Sequence, residues 1–176
     1  MERSENNINV LNLLAAIFIW AITSVWIYII FMLSSETGPE SLSRSFAILR
    51  IIKEAVGVSL SQTFIRKAAL VVEYGFLSFA IYMGLSFTNG ISEKFSISYP
   101  PRKRIRHVNE LNIVYTFWLS SFIAALDEYV QLFIEGRDAL IIDFFIDAAS
   151  IIVMLLLIRI AFLIKLMILK QSEVEI

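Results

Sequence analysis

The stretch LIIDFFIDAASIIVMLLLIRIAFLIKL, residues 140–166, decides how this chain folds. A helix needs about 20 mostly apolar residues to cross a bilayer, and this run exceeds that. Its charges are segregated: Asp143 and Asp147 stand near its start, Arg159 and Lys165 toward its end. Three runs of the same kind precede it. Residues 10–33 are broken only by Asn12 and small hydroxyls, residues 68–87 contain Glu73, and residues 113–134 carry Asp127, Glu128 and Gln131 near their end. Backbone groups in lipid must be hydrogen-bonded within their own segment, so all four runs read as helices. The expected fold is an all-α polytopic membrane protein with four transmembrane helices in one domain, residues 1–176.

Composition agrees. Of 176 residues 58% are hydrophobic, and the mean hydropathy is +0.75. Soluble domains are usually about half apolar and lack such long blocks. Fifteen Lys and Arg against 16 Asp and Glu leave no basic surplus to suggest nucleic acid as a partner. The chain has no cysteine and one histidine, which excludes disulfides, thiolate metal sites, cysteine nucleophiles and any zinc site needing two histidines. The first run is longer than the apolar part of a signal peptide and no small-residue cleavage site follows it, so it reads as a retained helix.

The connections set the topology. Residues 36–45 hold Gly38, Pro39 and small polar or acidic residues and read as a turn region. Residues 46–58 have apolar positions near helical spacing with Arg50, Lys53 and Glu54 between them. That pattern predicts an amphipathic helix on the membrane surface. Residues 88–112 are polar, interrupted by Pro100 and Pro101 and followed by Arg102, Lys103, Arg104 and Arg106; residues 135–139 form a tight turn through Gly136. With four spans, both termini share a side with the 88–112 connection. That side carries Arg3, Lys94, Arg102, Lys103, Arg104, Arg106, Lys165 and Lys170, against Arg44, Arg50, Lys53, Arg66, Lys67 and Arg137 on the other. The positive-inside rule therefore favours cytoplasmic termini. The basic cluster after Pro101 reads as a topology anchor, and His107 within the same connection as a solvated loop residue.

This topology collects polar residues at one end. Ser34, Ser35 and Glu36 end the first span; Arg66, Lys67 and Glu73 begin the second; Asp127, Glu128 and Gln131 end the third; Arg137 and Asp138 lie in the turn; Asp143 and Asp147 begin the fourth. Helical spacing aims them at a common point. Arg66, Leu70 and Glu73 stand at i, i+4 and i+7, Asp127 and Gln131 at i, i+4, and Asp143 and Asp147 at i, i+4. Ionisable residues inside spans are costly and usually face an interior or a wet cavity. The cluster holds more acids than bases, so its carboxyls must be protonated, hydrogen-bonded or joined by a cation. Two readings follow: a pocket opening to the outer leaflet, or a salt-bridged network stapling the helix ends.

At these residues the chain resembles the VanZ-like family of small bacterial membrane proteins. The strongest match is Asp127-Glu128-Tyr129-Val130-Gln131-Leu132-Phe133-Ile134-Glu135-Gly136-Arg137 followed by Asp143 and Asp147, where the family reads D-E-x-x-Q-x-F-x-x-G-R and then D-x-x-x-[DN]. A second is Arg66-Lys67 followed by Glu73-Tyr74, where the family reads R-K-x-x-H-x-x-E-Y; a third covers Phe31 to Ser35. Leu70 stands where the family pattern has histidine, Glu36 near a usual glutamine, and Ser150 where glycine is common. The resemblance implies a multi-pass protein of the bacterial inner membrane. The family's namesake is linked to low-level teicoplanin resistance.

Three kinds of chemistry suit the cluster. As an enzyme, Asp127, Glu128 and Glu73 are the candidate catalytic carboxyls, since paired carboxyls act as acid and base when their environments split their pKa values. Arg66, Lys67, Tyr74, Gln131, Arg137, Asp143 and Asp147 are the candidate substrate-binding residues, with arginine suited to a phosphate or carboxylate. The partner would be a membrane lipid or lipid-linked envelope precursor; no cofactor and no metal are implied, although carboxylates are the ligands a hard cation prefers. Leu70 weakens catalysis, because a histidine there would lie on the stripe between Arg66 and Glu73. As a binding module, the same pocket recognises a headgroup without reacting. Transport is least favoured, because the first helix and the inner halves of the second and third offer no polar path.

Overall fold

A computed structural model describes residues 8–91, 101–137 and 140–172, and they form five helices. In chain order these are α1 (Val10–Ser34), α2 (Gly38–Val56), α3 (Gln62–Asn89), α4 (Pro101–Gln131) and α5 (Ile141–Ser172). Three helical stretches are long and apolar enough to cross a membrane: Val10–Ser34, Gln62–Asn89 and Ile141–Ile168. The fourth expected span lies in α4. Its basic start, residues 102–106, and its closing Asp127 and Glu128 enclose a shorter centre diluted by Tyr115, Thr116, Trp118, Ser120 and Ser121.

Helix α3 is the hub and packs against all four others. Along its buried face run Ile65, Tyr74, Leu77, Ser78 and Ile81. Tyr74, Leu77 and Ile81 join Ile30 of α1, Ala124 of α4, and Ile151 and Leu155 of α5 in one apolar core. The outside of the bundle is apolar as well. Phe18 and Val25 on α1, Val72 on α3, Trp118 and Phe122 on α4, and Val153 and Leu156 on α5 are all exposed. A soluble protein would keep such a surface polar, whereas lipid accepts it. At the end opposite α2, the start of α1 is fastened to the end of α3. There the Asn12 side-chain amide donates to the Gly90 carbonyl at 2.7 Å, and the Trp20 indole N–H to the Thr88 hydroxyl at 3.1 Å.

Several boundaries differ from the sequence reading. Residues 38–45, expected to be a turn, form the first half of α2. Gly38 and Pro39 occupy the opening positions of the helix, where proline's missing N–H costs nothing. The Thr37 backbone N–H donates to the Glu40 carboxylate at 2.9 Å, a capping arrangement that starts the helix there. At its other end Gly57 closes α2 in the left-handed region, with φ 73°. Helix α3 starts at Gln62 rather than near residue 68, because Ser61 caps it by accepting from the Phe64 N–H at 3.2 Å. Helix α4 starts at Pro101, so the latter part of the expected 88–112 loop is helical and His107 lies exposed on α4. Lys94 and Asp138 lie outside the described residues, as do the side chains of Arg102, Lys103 and Arg104.

The buried face of α4 is another departure. Asn109, Asn112, Thr116, Ser120, Ala124, Asp127 and Gln131 recur every three or four residues, and all are buried. The inner half of this helix, expected to offer no polar path, turns its polar residues inward, while Tyr115 and Trp118 face outward. Among the described residues, six helical hydroxyls on the other helices, Thr23 and Ser150 among them, bond to a carbonyl within their own helix. The buried hydroxyls of Thr116, Ser120 and Ser121 have no hydrogen-bond partner.

Candidate functional site

Beneath α2 lies a cavity of about 470 Å³. Helix α2 forms its roof with Ser41, Arg44, Ser45 and Ile48. The ends of α1 and α4 and the starts of α3 and α5 form its walls. The roof is held by backbone as much as by side chains. The Gly38 N–H donates to the Glu135 carbonyl at 3.1 Å, and a side chain at Gly38 would overlap the Gly136 carbonyl oxygen. Gly136 itself has φ 71°, a left-handed conformation that favours glycine. Two glycines therefore let the start of α2 rest directly on the turn between α4 and α5.

Eight of the ten candidate residues line this cavity: Arg66, Lys67, Glu73, Asp127, Glu128, Gln131, Arg137 and Asp143. Leu70 lines it too, so Arg66, Leu70 and Glu73 share one stripe of α3 as their spacing predicts. Tyr74 and Asp147 do not reach it. Both are completely buried one layer deeper; neither Asp147 carboxyl oxygen has a hydrogen-bond partner, and the Tyr74 hydroxyl lies against the Asp127 carboxyl. Asp127 stands between the two layers. Ser34, Tyr74 and Gln131 surround its carboxyl; Gln131 donates to one of its oxygens at 3.2 Å, and the other is buried without a well-formed hydrogen bond.

Arg137 lines the cavity and is also hydrogen-bonded within the protein. Its guanidinium donates to the carbonyls of Ser34 at 3.2 Å and Leu33 at 3.1 Å, and to the Ser41 hydroxyl at 3.1 Å. It caps the end of α1, where helix carbonyls lack partners, and ties that end to α2. Burial, then the neighbouring Arg66, push its pKa below the ordinary arginine value, yet arginine keeps its charge in proteins. Arg66 and Lys67 also line the cavity. Both are exposed at its rim, and neither makes an ion pair among the described residues.

Sequence reasoning missed the roof. Arg44 lines the cavity and pairs with Glu36 at 2.8 Å, and Ser41 receives Arg137. The signal was present in Thr37-Gly38-Pro39-Glu40, which reads as a capped helix start as readily as a turn. Glu73, Asp127, Glu128, Asp143 and Asp147 make no ion pair among the described residues, and neither Glu128 oxygen has a well-formed hydrogen bond. Among those residues, no three His, Cys, Asp or Glu side chains converge closely enough to hold a metal ion.

A second cavity, about 750 Å³, opens at the other end between α3, α4 and α5. Its polar groups satisfy one another: the Tyr82 hydroxyl bonds to Asn109, and the Asn89 amide donates to Asn112 at 2.7 Å.

None of the curated proteins and none of the solved structures compared matches this chain. The model of the VanZ/LLP1 family does, over residues 18–164. That match takes in all but the start of α1 and the end of α5, and with them every residue lining the cavity. The chain is a membrane protein of the VanZ/LLP1 family.

Proposed function

We propose that this protein binds or modifies, in the cavity beneath α2, the anionic headgroup of a membrane lipid or lipid-linked envelope component. The observation that carries the reading is the pair Arg66 and Lys67, unpaired among the described residues at the rim of a cavity whose walls are carboxyl-rich. Two cations held at a lipid-facing opening attract a phosphate, and arginine grips one with two parallel hydrogen bonds. The position of the residues in the fold supports a membrane setting. Helices α1, α3 and α5 cross the bilayer, and α4 crosses beside them as a fourth span, its apolar face to lipid and its polar face to the core. Helix α2 lies at the extracytoplasmic surface, the side that the distribution of Lys and Arg assigns to the cavity. Tolerance of teicoplanin, as for the family's namesake, is the cellular consequence this reading offers.

A purely structural role for the cluster finds less support. Buried carboxyls without ion-pair partners add desolvation cost rather than stability. The test is native mass spectrometry of lipids that co-purify with the wild type, with Arg66→Ala and with Lys67→Ala. One phosphate-bearing lipid class enriched with the wild type and lost in the variants supports the reading. Bulk lipid alone in all three, with every variant folded, overturns it.

A further inference from the structure

The cavity is polarised along its depth, and that polarity selects its occupant. Arg66 and Lys67 belong to the first turns of α3 and lie exposed at the rim; Glu73 is two turns further along the same face. At 1.5 Å of rise per residue, the rim bases and the deep carboxylate are separated by roughly 10 Å along the helix. The same cavity is lined by Asp127 and Glu128 from α4 and by Asp143 from α5. Asp127 is only 3% exposed, lines the cavity, and has one carboxyl oxygen without a well-formed hydrogen bond. The other two cations that line the cavity are engaged within the protein: Arg137 donates to Ser34, Leu33 and Ser41, and Arg44 pairs with Glu36. A ligand that were only an anion would satisfy the rim and bring no donor to the carboxyls below, which would then have to be protonated or hydrogen-bonded within the protein.

We infer that the occupant is dipolar: a phosphate ester held at the rim by Arg66 and Lys67, carrying a primary ammonium group a few bonds away that enters the acidic floor formed by Glu73, Asp127, Glu128 and Asp143. This rests on the headgroup reading above and narrows it to one chemical class, the aminoalkyl or amino-sugar phosphate lipids. An ammonium supplies three donors and no acceptor, which matches a floor of carboxyl acceptors. A divalent cation fits less well, since among the described residues no three acids converge tightly enough to ligate one.

The test uses the full chain in detergent with three short-chain lipids that share acyl chains: a phosphoethanolamine, a phosphoglycerol and a phosphomonoester. Binding is read by native mass spectrometry. The wild type is expected to hold the phosphoethanolamine lipid at least tenfold more tightly than the phosphoglycerol lipid. Glu128→Gln keeps shape and hydrogen-bonding capacity and is expected to erase that preference while retaining phosphate binding. Arg66→Ala with Lys67→Ala is expected to weaken all three. Equal binding of the three lipids by the wild type, unchanged in Glu128→Gln, overturns the dipolar occupant and leaves the headgroup reading standing. Failure to bind any of the three, by a wild type shown to be folded by its melting transition, overturns both.

Discussion

Arg137 and Ser34 lie 103 residues apart in the chain, and the guanidinium of one donates to the carbonyl of the other at 3.2 Å. This bond, with its companions to Leu33 and Ser41, makes Arg137 a fastening between α1, α2 and the turn before α5. Arg137→Ala removes three hydrogen bonds from a charged, half-buried donor, and a loss of about 2 kcal/mol follows from typical values for such bonds. Thermal melting in detergent checks it. Arg137→Lys is expected to recover only part of the loss, because an ammonium lacks the planar fork. A variant as stable as the wild type would mean the guanidinium is free for a ligand after all.

Gly38 bears a second prediction. Its Cα rests against the Gly136 carbonyl with no room for a methyl group. Both contacting groups are backbone, so neither can swing aside. Gly38→Ala is expected to cost about 1–3 kcal/mol, as overpacking does, and to loosen α2. Faster amide exchange along residues 38–48, measured by mass spectrometry, is the readout. Unchanged exchange there would show that the roof is held by something other than this contact.

Glu40 gives the α2 start a pH dependence. The Thr37 N–H, and then its hydroxyl, donate to the Glu40 carboxylate and hold its pKa below the ordinary carboxylate value. A carboxyl with a lowered folded-state pKa adds stability above its unfolded pKa and loses it as pH falls through the folded one. Protection of the first turn of α2 should therefore decline in the acidic range, below the usual glutamate pKa. In Glu40→Gln the same amides should show no such step, which amide exchange at several pH values will report.

Ser120 bears on the inward polar face of α4. Its hydroxyl is fully buried without a partner. Removing an unsatisfied buried group is neutral or stabilising, whereas removing half of a bonded pair is costly. Ser120→Ala is expected to melt no lower than the wild type. A fall of several degrees would reveal that the hydroxyl is bonded in the membrane.

Much of this architecture was legible because helical periodicity survives translation into space. Asp127, Gln131 and Asp143 sit where their spacing aims them, and Arg66, Leu70 and Glu73 share the predicted stripe. Three features were hidden, each for a physical reason. The start of α2 was masked because Gly38 and Pro39 serve turns and helix starts alike. The role of Arg137 was masked because its partners include backbone carbonyls of α1, which no side-chain pattern announces. The depth of Tyr74 and Asp147 was masked because a periodicity gives a face and not the thickness of what covers it.

With α2 at the extracytoplasmic surface, as proposed, the acid-lined cavity opens to that side of the membrane. The chain has no cysteine, so Leu70→Cys places a single thiol on the cavity wall, and His107→Cys places one on exposed α4 at the other end. Each is treated in intact cells with a membrane-impermeant maleimide. Position 70 is expected to be labelled in intact cells, and position 107 only after the membrane is opened. Labelling of position 107 and protection of position 70 in intact cells would contradict it.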